Sequence, residues 1–189
     1  MMTRLIRRPL AWFAALVLAL TAGAGLYWFQ PWKLVTDRAV DETLTAVPAR
    51  PNAAASVSAS ASASASPPPS GPVVVRQGEF ISHEHDTSGV ARVIRDRNGS
   101  QVLELVGLAT SNGPDLRLWL SDQPVRPGAP GWRVFDDGTW LELGRLKGNR
   151  GNQRYAVPAG TDLDRLASVA IWCKRFSVSF GAARLAPTT

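Results

Sequence analysis

The sequence predicts an all-β domain, an antiparallel sandwich or barrel-like fold of about eight short strands, carried behind one transmembrane helix and a disordered linker. Three observations predict it. Pro9 to Trp32 is a run of 24 residues without a charge, and Leu10 to Phe29 alone supplies the roughly 20 residues that a bilayer-spanning helix needs. Residues 33–72 lose their periodicity and turn to Ala, Ser and Pro, as in AAASVSASASASASPPPSGP. From residue 73 onward, short runs alternate apolar and polar side chains and are separated by Gly, Pro, Asn and Asp, the pattern of a sandwich or barrel. The 189 residues thus hold one ordinary domain, 73–186, with attachments and a short tail, 187–189.

The apolar run fixes a direction. Arg4, Arg7 and Arg8 precede it, whereas Lys33, Arg38 and Arg50 after it are spread out and mixed with Asp37, Asp41 and Glu42. The positive-inside bias places residues 1–8 in the cytoplasm and the rest of the chain outside, with 9–32 as a signal anchor in the lipid bilayer of the cell membrane. Tyr27, Trp28, Phe29 and Trp32 form an aromatic belt at the far end. A cleaved signal peptide is the competing reading, with Leu10 to Leu20 as its core and Ala22-Gly23-Ala24 as its cleavage site. Cleavage would strand those four rings at a soluble terminus, and both readings export the rest of the chain.

Residues 33–72 carry too little branched or aromatic surface to offset their ordering entropy, so they read as a disordered tether. Forty coil-like residues reach on the order of 35 Å, more where Pro67, Pro68 and Pro69 stiffen the chain. Ser/Pro stalks of this kind are also glycosylation candidates.

The strands expected in the domain are Val73–Arg76, Ser88–Arg95, Gln101–Val106, Leu116–Ser121, Trp140–Gly144, Gln153–Val157, Ser168–Lys174 and Ser177–Leu185. Asn98-Gly99 is a two-residue hairpin signal, Asn112-Gly113-Pro114-Asp115 is a turn ahead of the fourth strand, and Gly148-Asn149-Arg150-Gly151 joins the fifth to the sixth. Thr161 to Leu166 is the one expected helical turn. Alternation sets the facing. Leu116, Leu118 and Leu120 oppose Arg117 and Trp119; Val169, Ile171 and Cys173 oppose Ala170, Trp172 and Lys174; and Phe176, Val178 and Phe180 oppose Ser177, Ser179 and Gly181.

Composition excludes several functions. The formal charge is +6, but after residue 75 fifteen Lys and Arg stand against twelve acids with no basic block, so nucleic acid is not an expected partner. No nucleophile elbow, zincin motif, phosphate loop or dinucleotide fingerprint occurs. The lone Cys173 allows no intrachain disulfide and no all-Cys metal site. Two roles are open to it: a small buried hydrophobe, or a redox thiol or ligand whose thiolate Lys174 and Arg175 would favour if it reached solvent. His83 and His85 flank Glu84 and on a strand would share a side, as two ligands of a transition metal need, while two polar loop residues is the plainer reading. Joined by Cys173 they would make a His₂Cys copper set, and one His with Cys173 would serve haem. Trp119, Trp132, Trp140 and Trp172 are packing residues that could also stack a ligand or carry electrons.

The ordered motifs Gly78-x-Phe80, His85-x-x-Ser88-Gly89-x-Ala91, Asn112-Gly113-Pro114-Asp115-Leu116 and the stretch from Leu143 through Ile171-Trp172-Cys173 to Leu185 resemble the electron-transfer DM-thirteen domain family over about residues 76–186. The resemblance implies an all-β extracellular domain, found beside DOMON domains or tethered to a membrane. It also implies electron transfer in which Cys173 acts as a naked thiol or as ligand to a group such as haem. The family His falls on His85, and His83 lies outside the pattern. No DOMON segment is present in this sequence, so a redox or envelope protein partner would be a separate molecule.

The expected function is therefore redox transfer through Cys173 in a membrane-tethered extracytoplasmic domain, with haem, copper or no cofactor. The alternative is a noncatalytic binding module displayed on a flexible stalk. Either is better supported by the residues than a stand-alone enzyme with its own substrate pocket.

Overall fold

The computed structural model describes residues 9–47 and 71–188. Helix α1 spans Pro9–Phe29 and is long and apolar enough to cross a membrane. The hydroxyl of Thr21 donates back to the Val17 and Leu18 carbonyls at 3.0 Å, so it adds no unsatisfied polar group to the apolar surface. Gln30, in the left-handed region at φ 46°, ends the helix, and Pro31 opens a 3₁₀ turn over Pro31–Val35.

Ten strands follow among the described residues: β1 Ala39–Asp41, β2 Val73–Ser82, β3 Ser88–Arg95, β4 Gln101–Ala109, β5 Leu116–Ser121, β6 Trp140–Arg145, β7 Arg150–Val157, β8 Ser168–Cys173, β9 Val178–Arg184 and β10 Ala186–Pro187. All eight expected strands are present, and β1 and β10 are additional. The strands form one curled sheet in the order β1-β7-β4-β3-β2-β9-β8-β5-β6, with β10 paired to β2. Every pairing is antiparallel except β1 with β7.

β2 makes the curl. Its residues from Val73 to Glu79 pair with β3, whereas Phe80 to Ser82 pair with β9, so the strand passes from one half of the sheet to the other. The inner faces of the halves meet around Leu103, Leu105, Leu118, Leu120, Val169, Ile171 and Val178. The facing inferred from alternation on β5 and β8 holds: Leu116, Leu118, Leu120, Val169, Ile171 and Cys173 turn inward, and Trp119, Ala170 and Trp172 turn to a second cluster on the outside.

One expected turn differs. The Asn98-Gly99 turn is wider than a two-residue hairpin: Asp96 N–H donates to the Ser100 carbonyl at 2.9 Å, leaving three residues between them, with Gly99 at φ 82°. The helical turn expected over Thr161 to Leu166 is present as one turn, closed by the Leu166 amide on the Asp162 carbonyl at 2.9 Å.

The boundary of the tether also moves. Residues 48–70 lie outside the described residues, but residues 37–45 run across β7 and β4 as a strap. The acids that made this stretch look merely polar each find a partner there: Asp37 accepts from Asn149 Nδ2 (2.7 Å) and Arg150 Nε (2.8 Å), and Glu42 from Lys147 Nζ (2.8 Å). Gly151, at φ 94°, makes room for the strap, because a Cβ there would stand 2.1 Å from the Val40 carbonyl oxygen. Beneath the strap Glu104, fully buried, accepts from the Thr45 amide (2.8 Å) and hydroxyl (2.7 Å) and from Arg92 Nε (2.9 Å).

Burial alone would raise the Glu104 pKa, but the bonds from Thr45 and Arg92 outweigh it and hold the group below its ordinary value of 4.5. Its stabilisation is complete above that pH and is lost as the pH falls through the lowered folded value. Glu104→Ala, which leaves Arg92 without its carboxylate, is expected to cost roughly 3 kcal/mol. It should lower the urea midpoint at neutral pH and erase most of the difference from the native protein in acid; an unchanged midpoint at neutral pH would contradict the role of this carboxylate.

Candidate functional site

Cys173 ends β8 and is fully buried. It pairs with Leu116 of β5 on one side and Val178 of β9 on the other. Burial raises the thiol pKa above 9.0, opposed by the backbone N–H groups of Phe176, Arg175 and Asp115. Arg175 is therefore close to the sulfur through its backbone, while its guanidinium is turned elsewhere. The guanidinium donates to the Tyr27 carbonyl at 3.3 Å and to the Trp28 carbonyl, and it lies over the Trp28 ring at 5.1 Å from the centroid. These are the free carbonyls at the C-terminal end of α1, where a cation is favoured. Phe176 stacks on Phe29 at 5.9 Å. The turn that follows Cys173 is thus docked on the end of the helix.

The histidines are not brought together as a pair of ligands. His83 is buried, its ring stacked at 5.8 Å on Phe135 of the outer cluster, whereas the His85 ring rests at 3.9 Å on Phe180 of the inner core. Both nitrogens of His83 are engaged, Nε2 with the Arg126 carbonyl at 3.1 Å and Nδ1 with Ser179 Oγ at 2.8 Å. Burial lowers the pKa of this ring, against the Arg126 carbonyl that favours its charged form. In the neutral ring the carbonyl can only accept, so Nε2 carries the proton and Nδ1 accepts from the serine. Among the described residues no group of three or more His, Cys, Asp and Glu side chains could hold a metal ion. With Cys173 sealed among aliphatic side chains, the donor set does not fit a copper or haem centre.

What the fold does assemble is a row of aromatic rings on the outer face of β5, β8 and β9. Trp140, 41% exposed at the start of β6, stacks on Trp119 at 4.0 Å with the planes 3° apart. Trp119 stacks on Trp172 at 5.1 Å, and Phe135 meets Trp172 edge-on at 6.4 Å. Trp119 Nε1 donates to Glu142 Oε2 at 3.2 Å, and the other oxygen of Glu142 accepts from Arg117 at 2.7 Å.

The loop of residues 122–139 covers this face, placing Val125, Val134 and Phe135 against the indoles. Its stem is closed by the Asp122 amide on the Thr139 carbonyl at 3.0 Å. Its middle is held by Ser179 N–H on the Trp132 carbonyl at 2.7 Å and by His83 on Arg126. His83 is thereby a loop anchor, a role that His-x-His spacing does not signal. The outward position of Trp119 and Trp172 was legible from alternation, but their meeting with Trp140 depends on the pairing of β5 with both β6 and β8.

The same strands thus carry one sealed thiol beside a helix end and, on their outer face, a row of stacked indoles. The family model described as electron transfer DM13 matches residues 79–185, and the chain belongs to that family. No curated protein and no solved structure matches the chain.

The burial of Cys173 has a measurable signature. In the native protein its alkylation should be slower than that of a peptide thiol at neutral pH and become fast only on unfolding. Stability should fall as the pH rises above 9.0, where the unfolded thiol ionises and the folded one does not. Native-state labelling at the rate of a free thiol would contradict this placement.

Proposed function

We propose that the chain is a membrane-anchored electron-transfer domain lying outside the cytoplasm, working through the single thiol of Cys173, with its N-terminus in the cytoplasm. Membership of the electron transfer DM13 family carries the redox reading. Cys173 is favoured within it as the only thiol of the sequence, set among three backbone N–H groups. The anchor is supported by α1 and the orientation by Arg4, Arg7 and Arg8 ahead of it. Complete burial argues for electron exchange at a distance over a mixed disulfide, because a partner thiolate would have to open the 174–177 turn to reach the sulfur.

The same burial favours a second reading, a tethered binding module in which Cys173 is a packing residue. The two part on one variant. With the full-length chain in detergent, the electron-transfer reading expects Cys173→Ala to abolish one-electron exchange with a soluble metal-complex acceptor, while near-ultraviolet circular dichroism and the thermal transition show a folded domain. Undiminished exchange by the folded variant would overturn the role of the thiol and leave the binding module.

A further inference from the structure

The thiol is sealed from solvent, and the aromatic row starts one residue before it in β8, on the opposite face: Trp172 precedes Cys173 and points outward, and Trp140 opens the row to water. We propose that Trp140, Trp119 and Trp172 form a one-electron relay, with Trp140 as the surface port for an outer-sphere acceptor and Glu142 as the proton acceptor of Trp119. The proposal rests on the electron-transfer reading for its terminal donor, Cys173.

Three features carry it. The rings follow each other at 4.0 and 5.1 Å between centroids, close enough for the π-systems to touch, and electron tunnelling weakens steeply with distance, so short steps between rings outrun one long step. The middle ring is the one whose N–H meets a carboxylate, at 3.2 Å. An indole that loses an electron becomes a strong acid at that nitrogen, so Glu142 is placed to take the proton. The outer ring alone is substantially exposed: Trp140 is 41% open, against 3% for Trp119 and 1% for Trp172. A row built for packing alone needs neither the carboxylate on its central nitrogen nor an open end.

The step balances as follows. An outer-sphere acceptor, such as a metal complex or metalloprotein, gains one electron from Trp140 and leaves an indole radical cation. Trp119 passes one electron to Trp140; its Nε1–H bond breaks and an O–H bond forms on Glu142, leaving a neutral indolyl radical and a carboxylic acid. Cys173 then supplies one electron to Trp119 by way of Trp172, Glu142 returns its proton to Trp119, and the thiol proton leaves to solvent as the 174–177 turn opens. The sum is acceptor plus thiol giving reduced acceptor, thiyl radical and a proton.

Flash oxidation of the full-length chain in detergent micelles with a photogenerated ruthenium(III) polypyridyl complex tests this, read by transient absorption. The native chain should give a neutral tryptophan radical. Trp140→Leu, at an exposed edge position, should lower its yield several-fold, and Glu142→Gln, which cannot take up the proton, should leave the radical as the cation. A Trp132→Phe control should leave the yield unchanged. Equal yields in the native chain and Trp140→Leu, or a neutral radical formed equally well in Glu142→Gln, would overturn the relay. Cys173→Ala separates the two readings: a longer-lived radical supports both, while an unchanged lifetime with the Trp140 dependence intact upholds the relay and overturns the thiol as its donor.

Discussion

The bend in β2 is the constraint on which the rest of the fold depends. A single strand serves two partners, β3 up to Glu79 and β9 from Phe80, and this turns one sheet into two facing halves. The bend tolerates no side chain where the C-terminal strand crosses it: a Cβ on Gly78 would stand 1.9 Å from the Arg184 carbonyl oxygen. Closure of the halves buries the leucines of β4 and β5 and the inner face of β8, and with them Cys173. The low reactivity expected of the thiol is therefore a consequence of topology, not of a local pocket.

Curling leaves a second surface to cover. The outer face of β5, β8 and β9 carries Trp119, Trp172, Ala170 and Ala182, which would be costly to leave in water at about 25 cal/mol per Å². The 122–139 loop and the Trp140 ring cover it, and each stacked ring pair adds on the order of 1 kcal/mol. His83 belongs to this layer because its neutral ring fits between Phe135 and the Arg126 carbonyl. A metal-bound imidazole would have to give up its bond to the Arg126 carbonyl or to Ser179, since both ring nitrogens are engaged. The same interactions that hold the loop thus direct His83 away from metal chemistry.

Period-two alternation was enough to place Cys173 inward and Trp119 and Trp172 outward, because facing is a local property of a strand. It could not show which strands are neighbours, so the sequence named Trp119, Trp140 and Trp172 without showing that they stack. The strap was missed for a different reason. Asp37, Glu42 and Thr45 have the composition of a linker, and their partners Arg150, Lys147 and Glu104 are about 60 to 110 positions away; pairing of polar side chains across such separations leaves no periodic signal. Gly148-Asn149-Arg150-Gly151 was read as a turn, but of these residues only Gly148 and Asn149 lie between β6 and β7; Arg150 and Gly151 already belong to β7, where Gly151 admits the close approach of β1. A shared side for His83 and His85 required a strand, with two polar loop residues as the plainer reading; β2 ends at Ser82, so strand alternation does not apply to them.

The two ends of β5 give the proposed path a direction. At one end Leu116 pairs with Cys173, whose following turn is docked on the C-terminus of α1; at the other Ser121 pairs with Trp140. Six residues of strand separate these ends by about 17 Å. A thiol exposed at the surface would meet any oxidant directly, and one sealed with no aromatic neighbours would exchange electrons too slowly to be useful. In the proposed relay, a sealed thiol linked to an open indole by way of Trp172 and Trp119 would separate access from reactivity: a partner would meet only Trp140, while the sulfur stays in a site that disfavours its thiolate and blocks covalent attack. Under the proposed anchoring through α1, the port would lie at the end of the strand away from the helix, where a soluble partner could reach it without contacting the bilayer.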